Sequence, residues 1–266
     1  MYQRIAIITG ASSGIGKAFL ELLARDNGKL FKIPFDEIWA VARREEALCQ
    51  LASSFENVRI VPLTTDLSDI SGIKAIEDML KAEEPTVGLL VNSAGMGIKG
   101  TVMEKSVSSI SDTISINCSA LSLLTKAVVP FMKSEDGKPG IINIASSAGF
   151  FPQPNFAVYA ASKSYVISFS RAMSYEFKPL GISVTTVCPG PVRTDFHRRA
   201  TEGREDDFTD WRKNFVSDPV KLAERSLKAS RKGRRMLVYP FSQKLLHLAS
   251  KLLPTSWILC FSGNLK

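Results

Sequence analysis

The stretch Arg4–Gly16 reads RIAIITGASSGIG and decides the class of fold. Its first half, Arg4–Thr9, is a short continuous apolar run, which is typical of a strand buried on both faces of a parallel sheet. The glycines that follow predict a tight turn, and a helical pattern then runs through Arg25. A strand, a glycine turn and a helix in this order predict an open α/β sheet with a ligand at the carboxyl end of the strand.

The glycine turn itself predicts a binding site for the pyrophosphate of a dinucleotide. Glycines let the backbone approach phosphates closely, and the N-terminus of the next helix offers free N–H groups and positive potential. A purely structural turn is the alternative. The predicted contacts are Gly10, Ser12, Ser13, Gly14, Ile15 and Gly16.

Apolar runs separated by helical patterns predict six further strands. These strands are expected over Glu37–Ala42, Val58–Leu63, Val87–Val91, Gly140–Ala145, Ile182–Val187 and Arg235–Tyr239. Ser108–Met132 is predicted to form one long helix with Asn117 near its middle, and Pro219–Arg231 another helix.

The end of the second strand bears on the choice of cofactor. In dinucleotide-binding sheets an acid here holds the ribose 2′-hydroxyl, whereas an arginine suits a 2′-phosphate. Ala42 and Arg43 occupy this end and no acid does, which favours NADP(H). The alternative for Arg43 is an exposed arginine at a helix start.

Small or polar residues follow three other strands, where ligands sit in open α/β sheets. Asp66, with Leu67, can reach the adenine edge or cap the next helix. Asn92-Ser93-Ala94-Gly95 forms a small turn, and Pro189-Gly190 begins a rigid loop that continues to Thr194.

Tyr159 and Lys163 lie four residues apart in Val158–Lys163, and positions i and i+4 share one helix face. A nearby ammonium favours the phenolate, so the pair predicts a lowered tyrosine pKa and a proton-transfer group. An ordinary pair on a helix surface is the alternative. Ser146 has no histidine partner in a base-like motif, so a hydroxyl that hydrogen-bonds a substrate oxygen is preferred over a nucleophile.

Composition bounds the remaining possibilities. A length of 266 residues, with 45% apolar and 23% charged residues, predicts one α/β domain over residues 1–240 and a C-terminal extension over 241–266. We expect no membrane span and no secretion signal, and the four separated cysteines favour free thiols in the cytoplasm. We predict no metal site and no nucleic-acid partner.

The whole net charge of +8 falls in residues 198–266, which hold 15 Lys and Arg against 7 Asp and Glu. A solvated basic surface is the plain interpretation, and an anionic membrane, an acidic partner or an anionic substrate are the others. Residues 195–215 are polar with scattered aromatics and predict a substrate lid.

The tail, 242–261, predicts an amphipathic helix that Pro254 ends. Lys244, His247, Ser250 and Lys251 lie opposite its apolar face. Three interpretations stay open, namely a cover for the protein's own pocket, a subunit interface and a membrane-surface anchor. The predicted apolar face comprises Leu245, Leu246, Leu248, Ala249, Leu252 and Leu253.

Taken in order, these motifs resemble the short-chain dehydrogenase/reductase family in its single-domain branch. The resemblance covers about residues 3–195. Thr9-Gly10-(x)3-Gly14-Ile15-Gly16 is similar to the family's cofactor turn, and Asn92-Ser93-Ala94-Gly95 to its Asn-Asn-Ala-Gly segment, with Ser93 departing from the second Asn. Asn117 and Pro189-Gly190 also match, and Ser146 precedes Tyr159 by thirteen, the family's interval, which selects it over Ser147.

The resemblance implies a Rossmann-type doubly wound parallel sheet of seven strands with helices on both faces. It implies hydride transfer between NADP(H) and a ketone or aldehyde/alcohol pair. Tyr159 would exchange the proton, Lys163 would hold the nicotinamide ribose, Ser146 would bind the reacting oxygen, and Asn117 would keep a relay water in place. Further implied cofactor contacts are Arg43, Asp66, Leu67, Asn92, Ala94, Gly95, Tyr159, Lys163, Pro189, Gly190, Val192 and Thr194.

From these observations we expect a reductase of a hydrophobic carbonyl compound, such as a 3-oxoacyl, steroid-like or lipid ketone. A homodimer or homotetramer is expected from the resemblance. The alternative from another class is a non-catalytic dinucleotide-binding sensor or scaffold on the same fold, against which the complete set Ser146, Tyr159 and Lys163 argues.

Overall fold

The computed structural model describes residues 3–134, 137–201 and 216–263, and the side chains of the last helix as far as Leu259. Seven parallel strands form one sheet in the order β3-β2-β1-β4-β5-β6-β7. The predicted doubly wound sheet is confirmed. The strands are β1 (Arg4–Thr9), β2 (Glu37–Ala42), β3 (Arg59–Thr64), β4 (Thr86–Asn92), β5 (Gly140–Ile144), β6 (Ser183–Pro189) and β7 (Met236–Tyr239).

Helices cover both faces of this sheet. They are α1 (Gly14–Asp26), α2 (Glu45–Ser53), α3 (Ile70–Glu83), α4 (Val107–Ile114), α5 (Leu121–Val128), α6 (Ala157–Glu176), α7 (Phe196–Ala200), α8 (Pro219–Arg231), α9 (Phe241–Leu252) and α10 (Thr255–Gly263). Short 3₁₀ turns lie at Val102–Glu104, Val129–Phe131 and Ser147–Phe150.

Both faces of strand β1 are buried, which explains its continuous apolar sequence. Successive side chains of a strand point to opposite faces, and here both faces are core. Ile5 and Ile7 pack with α3, α5 and α6 on one side, whereas Ala6 and Ile8 pack with α1, α2 and α8 on the other. All four are fully buried, so the strand forms the centre of both hydrophobic layers.

The strand order reverses direction between β1 and β4, which are neighbours in the sheet. Ligands of doubly wound sheets bind in the crevice at such a point. The hydroxyl of Thr9, at the end of β1, accepts hydrogen bonds from the backbone N–H groups of Ser93 and Ala94 at 3.0 and 2.9 Å. The glycine turn and the segment after β4 are thereby held together at one edge.

The long helix predicted over Ser108–Met132 is continuous from Val107 to Phe131, but its middle, Ser115–Ala120, is a π-helical segment. By length and composition this stretch qualifies as a bilayer span, which corrects the expectation that none would. It packs against β4, α3 and α6, so in this structure it is a helix of the domain interior.

Candidate active site

The glycine turn forms a cradle that side chains would fill. Gly10 and Gly14 have positive φ values of 67° and 57°, a backbone conformation that favours glycine. A Cβ on Gly16 would lie 2.4 Å from the carbonyl oxygen of Gly10. Helix α1 begins here with Ser13 as its N-cap, and the Ser13 side chain makes no capping hydrogen bond. The turn thus fits a pyrophosphate at the helix N-terminus.

Two other predicted residues lie at this turn. A Cβ on Gly14 would be 3.2 Å from Cγ2 of Thr194, so the loop after β6 closes against the start of α1. Ile15 is half-buried against the core, where it anchors the first turn of the helix. Together these contacts bring the segments after β1 and β6, which are distant in sequence, to one opening.

Tyr159 and Lys163 lie in the first two turns of α6, and both are buried, with 9% and 5% of their surface exposed. The Lys163 ammonium is 5.6 Å from the centroid of the Tyr159 ring. Its Nζ donates a hydrogen bond to the carbonyl oxygen of Ile144 at 3.0 Å. The predicted pair therefore meets inside the protein and is not a surface pair.

Ser146 lies two residues after the end of β5, near this pair. Its Oγ accepts a hydrogen bond from the backbone N–H of Ala148 at 3.1 Å, which begins the 3₁₀ turn Ser147–Phe150. The Ser146 side chain also lies near the Tyr159 hydroxyl and lowers the pKa of that phenol. The neighbouring Ser147 is buried. The choice of Ser146 over Ser147 stays a prediction.

The direction of the tyrosine shift differs from the prediction. Burial raises the pKa of Tyr159 to about 12, and the Ser146 side chain offsets this only in part. Burial also lowers the pKa of Lys163 to about 8. The expected lowering of the Tyr159 pKa by Lys163 is therefore wrong, because loss of hydration outweighs the charge at this separation.

Asn117 is buried in the π-helical segment, and its amide has three protein partners. The Oδ1 atom accepts from the Met96 N–H at 3.0 Å, while Nδ2 donates to the Met96 carbonyl at 2.8 Å and to Ser162 Oγ at 2.9 Å. This side chain clamps the loop after β4 against α6. The relay water expected at Asn117 stays a prediction.

The segment after β4 lines the same opening. A Cβ on Gly95 would lie 3.1 Å from Asn117 Oδ1 and 3.4 Å from Lys163 Nζ, so this glycine leaves room beside the lysine. Gly10 lies across the cleft from Ala94. A Cβ on Gly10 would be 3.0 Å from the backbone of Ala94. The Asn92 side chain points elsewhere. It is 3% exposed and donates to Thr125 Oγ1 and Asn143 Oδ1 in the core, so the predicted cofactor contact is not made by its amide.

Aromatic rings enclose Tyr159. Phe196 belongs to the predicted lid over residues 195–215, whereas sequence reasoning missed Phe156. Phe156 stacks on the Tyr159 ring at 4.3 Å between centroids, and Phe196 of α7 lies at 5.3 Å. A Cβ on Gly97 would be 2.5 Å from Cδ2 of Tyr159, so the backbone of that loop presses on the ring. Phe156 lies three residues before Tyr159, at the start of the helix, and this spacing could have indicated that the two rings are neighbours.

Arginines gather at the ends of β2 and α7. Arg43 lies 3.7 Å from an Asp66 carboxylate oxygen, and Arg44 donates to the Ser12 carbonyl and hydroxyl at 3.0 and 3.1 Å. Partial burial, followed by the charges of Arg44 and Arg43, lowers the pKa of Arg199. Arg44 and Arg199 were missed, although the pair Arg43-Arg44 was visible in the sequence.

Asp66 does not cap α3, which corrects one of its two predicted roles. Asp69 is the N-cap, and its Oδ1 accepts from the Ser71 N–H at 3.0 Å. Burial raises the pKa of Asp66, but hydrogen bonds from Ser68 and the charge of Arg43 outweigh this effect and the net pKa is lowered. Leu67 is buried in the core beneath it. Asp66 remains exposed at the opening beside Arg43.

The loop after β6 connects the site to the tail. The Gly190 N–H donates to the Tyr239 carbonyl at 2.8 Å, and a Cβ on Gly190 would lie 2.9 Å from the Gln243 side chain of α9. Pro189 ends β6, and Val192 is buried beside it.

Helix α7 is the described part of the predicted lid. Its end is tied to the segment after β4, because the Lys99 N–H donates to the Ala200 carbonyl at 2.8 Å. The lid aromatics Phe208, Trp211 and Phe215 lie outside the described residues.

The fold and the site define a class of protein, the oxidoreductases that bind a nicotinamide dinucleotide at the switch point of a doubly wound sheet. The family model for short chain dehydrogenase matches residues 4–205. The chain therefore belongs to the short-chain dehydrogenase/reductase family, whose members use NAD(P)(H).

Individual relatives show the same likeness. The 3-oxoacyl-[acyl-carrier-protein] reductase FabG of Escherichia coli (strain K12) is 32% identical over 200 residues, which cover 75% of this chain and 78% of its own length. The very-long-chain 3-oxoacyl-CoA reductase of Anas platyrhynchos is 33% identical over 195 residues, covering 71% of this chain and 60% of its own. A short-chain dehydrogenase from Sphingobium yanoikuyae in complex with NADPH superimposes with a TM-score of 0.77 and 27% identity, covering 99% of this chain and 96% of its own.

Proposed function

We propose that this oxidoreductase uses NADP(H) to interconvert a carbonyl compound and an alcohol, and that it acts as a reductase of a hydrophobic ketone or aldehyde. The observation that carries the proposal is the buried Tyr159 side chain, which lies beside Lys163 and near Ser146. With a pKa near 12 the phenol keeps its proton at neutral pH. A protonated phenol is the form that a reduction requires, because the carbonyl oxygen must receive a proton.

The residues of this chain divide the work around the reacting oxygen. When bound, a reduced nicotinamide supplies the hydride to the carbonyl carbon. The Tyr159 hydroxyl donates its proton to the oxygen, and the Ser146 hydroxyl hydrogen-bonds the same oxygen and stabilises the developing alkoxide. The Lys163 cation stabilises the phenolate that remains until it is reprotonated.

The glycine cradle and the arginine cluster support the choice of cofactor. The turn from Gly10 to Gly16 keeps its tight backbone only because Gly10, Gly14 and Gly16 carry no side chain, and such a turn suits a pyrophosphate at a helix N-terminus. Arg44 contacts Ser12, and the charges of Arg43 and Arg44 act on Arg199, so a dianion bound among these three arginines would relieve their mutual repulsion. A 2′-phosphate on the adenosine ribose is such a dianion, whereas NAD(H) carries a neutral hydroxyl there.

A hydrophobic substrate is supported by the lining and by the relatives. The phenyl rings of Phe156 and Phe196 flank Tyr159, so the groups next to the carbonyl would meet apolar surface. FabG and the reductase of Anas platyrhynchos are named as reductases of 3-oxoacyl groups. A 3-oxoacyl, steroid-like or lipid ketone is the substrate class we propose, with a homodimer or homotetramer in the cytoplasm as the accompanying prediction.

The test of catalysis is Tyr159→Phe with Tyr165→Phe as its matched control. Tyr165 lies on the same helix, 42% exposed, and hydrogen-bonds Ser122 away from the site. Turnover of NADPH would be followed by absorbance with medium-chain 3-oxoacyl thioesters, steroid ketones and aldehydes. We expect a loss of at least about a hundredfold in kcat for Tyr159→Phe and little change for Tyr165→Phe.

Absence of turnover in that experiment would favour the non-catalytic alternative. If the wild-type protein binds NADPH tightly but turns over none of these carbonyl classes, the non-catalytic dinucleotide-binding sensor gains support. Equal activity of wild type and Tyr159→Phe would contradict the assignment of the proton donor.

The test of cofactor choice is Arg44→Ala, with Arg25→Ala as the control. Arg25 is an exposed arginine in the last turn of α1 that pairs with Glu21. We expect Arg44→Ala to weaken NADPH binding about tenfold or more and to leave NADH binding unchanged, measured by cofactor fluorescence. An equal loss for both cofactors would refute the 2′-phosphate assignment.

A further inference from the structure

Helix α9 carries an apolar stripe that faces outward. Phe241, Leu245, Leu248 and Leu252 follow the spacing i, i+4, i+7 and i+11, which places them on one face of a helix. Each is between 53% and 72% exposed. The prediction of a tail helix is confirmed, but Leu246 and Ala249, which were expected on the same apolar face, are turned toward the protein and half-buried.

The side of α9 that packs on the domain is mostly polar, with Leu246 and Ala249 as its apolar members. The side chain of Gln243 lies against Gly190, and the His247 ring is 4.3 Å from the ring of Phe150. Ser242 and Ser250 are half-buried on this side as well. An amphipathic helix normally buries its apolar stripe against its own core, so the orientation of α9 is the reverse of that expected for a helix whose partner is this domain.

The stripe continues beyond α9 and is accompanied by positive charge. Leu253, which follows the last residue of α9, is 42% exposed, and Trp257, in the first turn of α10, is 59% exposed. Lys244 and Lys251 are exposed and lie seven residues apart along one flank of the stripe. Residues 241–266 contain three lysines and no aspartate or glutamate. Leucines, an aromatic residue and lysines in this arrangement are typical of helices that lie in a membrane interface.

We infer that α9 and the start of α10 form a docking surface for an anionic lipid bilayer. Charge decides between this occupant and a second copy of the chain. A two-fold contact through the stripe would bring lysines toward the same lysines of the copy, with no acid in the segment to pair them. Anionic headgroups supply the missing negative charge, while the acyl layer covers the leucines.

The experiment is co-sedimentation of the full-length protein with vesicles, without cofactor or substrate. Vesicles of phosphatidylcholine alone are compared with vesicles that also contain phosphatidylglycerol. We expect binding to the anionic vesicles, with a blue shift of tryptophan fluorescence that Trp257→Phe removes. Because neither cofactor nor turnover is involved, the outcome is independent of the proposed reaction.

Two double variants separate the apolar and electrostatic contributions. Leu245→Gln/Leu248→Gln is expected to weaken vesicle binding about tenfold or more, and Lys244→Gln/Lys251→Gln to remove most of the preference for anionic lipid. The control is Ile70→Gln/Met103→Gln, which changes exposed apolar side chains elsewhere, 71% and 93% exposed, and should leave binding unchanged.

Two results would overturn the inference. One is a wild-type protein that fails to bind anionic vesicles. The other is a stable dimer of the wild type that dissociates in Leu245→Gln/Leu248→Gln, measured by light scattering, because the stripe would then be a subunit interface. Circular dichroism melting of every variant establishes that each is folded.

Discussion

Lys163 places a cation inside the protein, and this burial should make stability depend on pH. The side chain is 5% exposed, and its pKa falls from 10.5 to about 8 on folding. Between these values the folded protein binds fewer protons than the unfolded chain. The free energy of unfolding should therefore rise as the pH rises from 8 toward 10.5. The same gain in stability is lost as the pH falls from 10.5 through 8.

The size of this effect follows from the shift. A change of one pKa unit corresponds to about 1.4 kcal/mol, so the cost of the buried cation at pH 7 is on the order of 3 kcal/mol. Between pH 7 and pH 10 about 2 to 3 kcal/mol of it should be regained. Tyr159, whose pKa is raised to about 12, opposes this trend only above pH 10, where the unfolded chain begins to ionise.

The measurement is urea unfolding of the cofactor-free protein at several pH values, with Lys163→Met as the reference because methionine keeps the length of the side chain and removes its charge. We expect Lys163→Met to be more stable than the wild type near pH 7, and the difference to shrink by about 2 to 3 kcal/mol toward pH 10. Parallel pH profiles for the two proteins would refute the reasoning, because the lysine would then be hydrated or paired in the folded state.

Three further predictions concern groups that shape the site. Gly97→Ala should displace the Tyr159 ring, since the new Cβ would lie 2.5 Å from Cδ2. The protein should remain folded and kcat should fall about tenfold or more. An unchanged kcat would show that the ring is free to move. Gly16→Ala should weaken binding of NADPH and NADH alike, because its Cβ would lie 2.4 Å from the Gly10 carbonyl oxygen. Calorimetric titration with both cofactors measures this. Full retention of binding would contradict the role of the glycine turn in holding the pyrophosphate. Asn117→Leu should lower the midpoint of thermal unfolding, because the Met96 backbone and Ser162 lose their partners at a cost of about 1 to 3 kcal/mol; an unchanged midpoint would argue against the clamp.

The sheet was predictable because each strand has a local signature. All seven strands lie within two residues of their predicted bounds, since apolar runs flanked by glycine, proline or polar residues are read directly from the sequence. The helix bounds also follow closely, and the break at Pro254 separates α9 from α10 as expected. Ser146, Tyr159, Lys163 and Asn117 do converge in space, although they come from three separate elements.

Properties that depend on solvation were not predictable from spacing. The Tyr159 pKa rises because the ring is enclosed by Phe156, Phe196 and the Gly97 loop, and no local pattern reveals how completely a side chain is removed from water. The direction that α9 faces is a further example. Its periodicity predicts two faces, but only tertiary contacts determine which face is covered.

The contacts of α9 with Gly190 and Phe150 set the outward stripe about one helix diameter, ~10 Å, from the loops that carry Pro189 and Ser146. A ketone dissolved in the lipid layer would then reach Tyr159 by lateral diffusion within that layer and would not cross bulk water. The rate would follow the mole fraction of substrate in the lipid. Adding inert phospholipid at constant total substrate should slow turnover by surface dilution, a kinetic behaviour foreign to an enzyme that draws its substrate from solution.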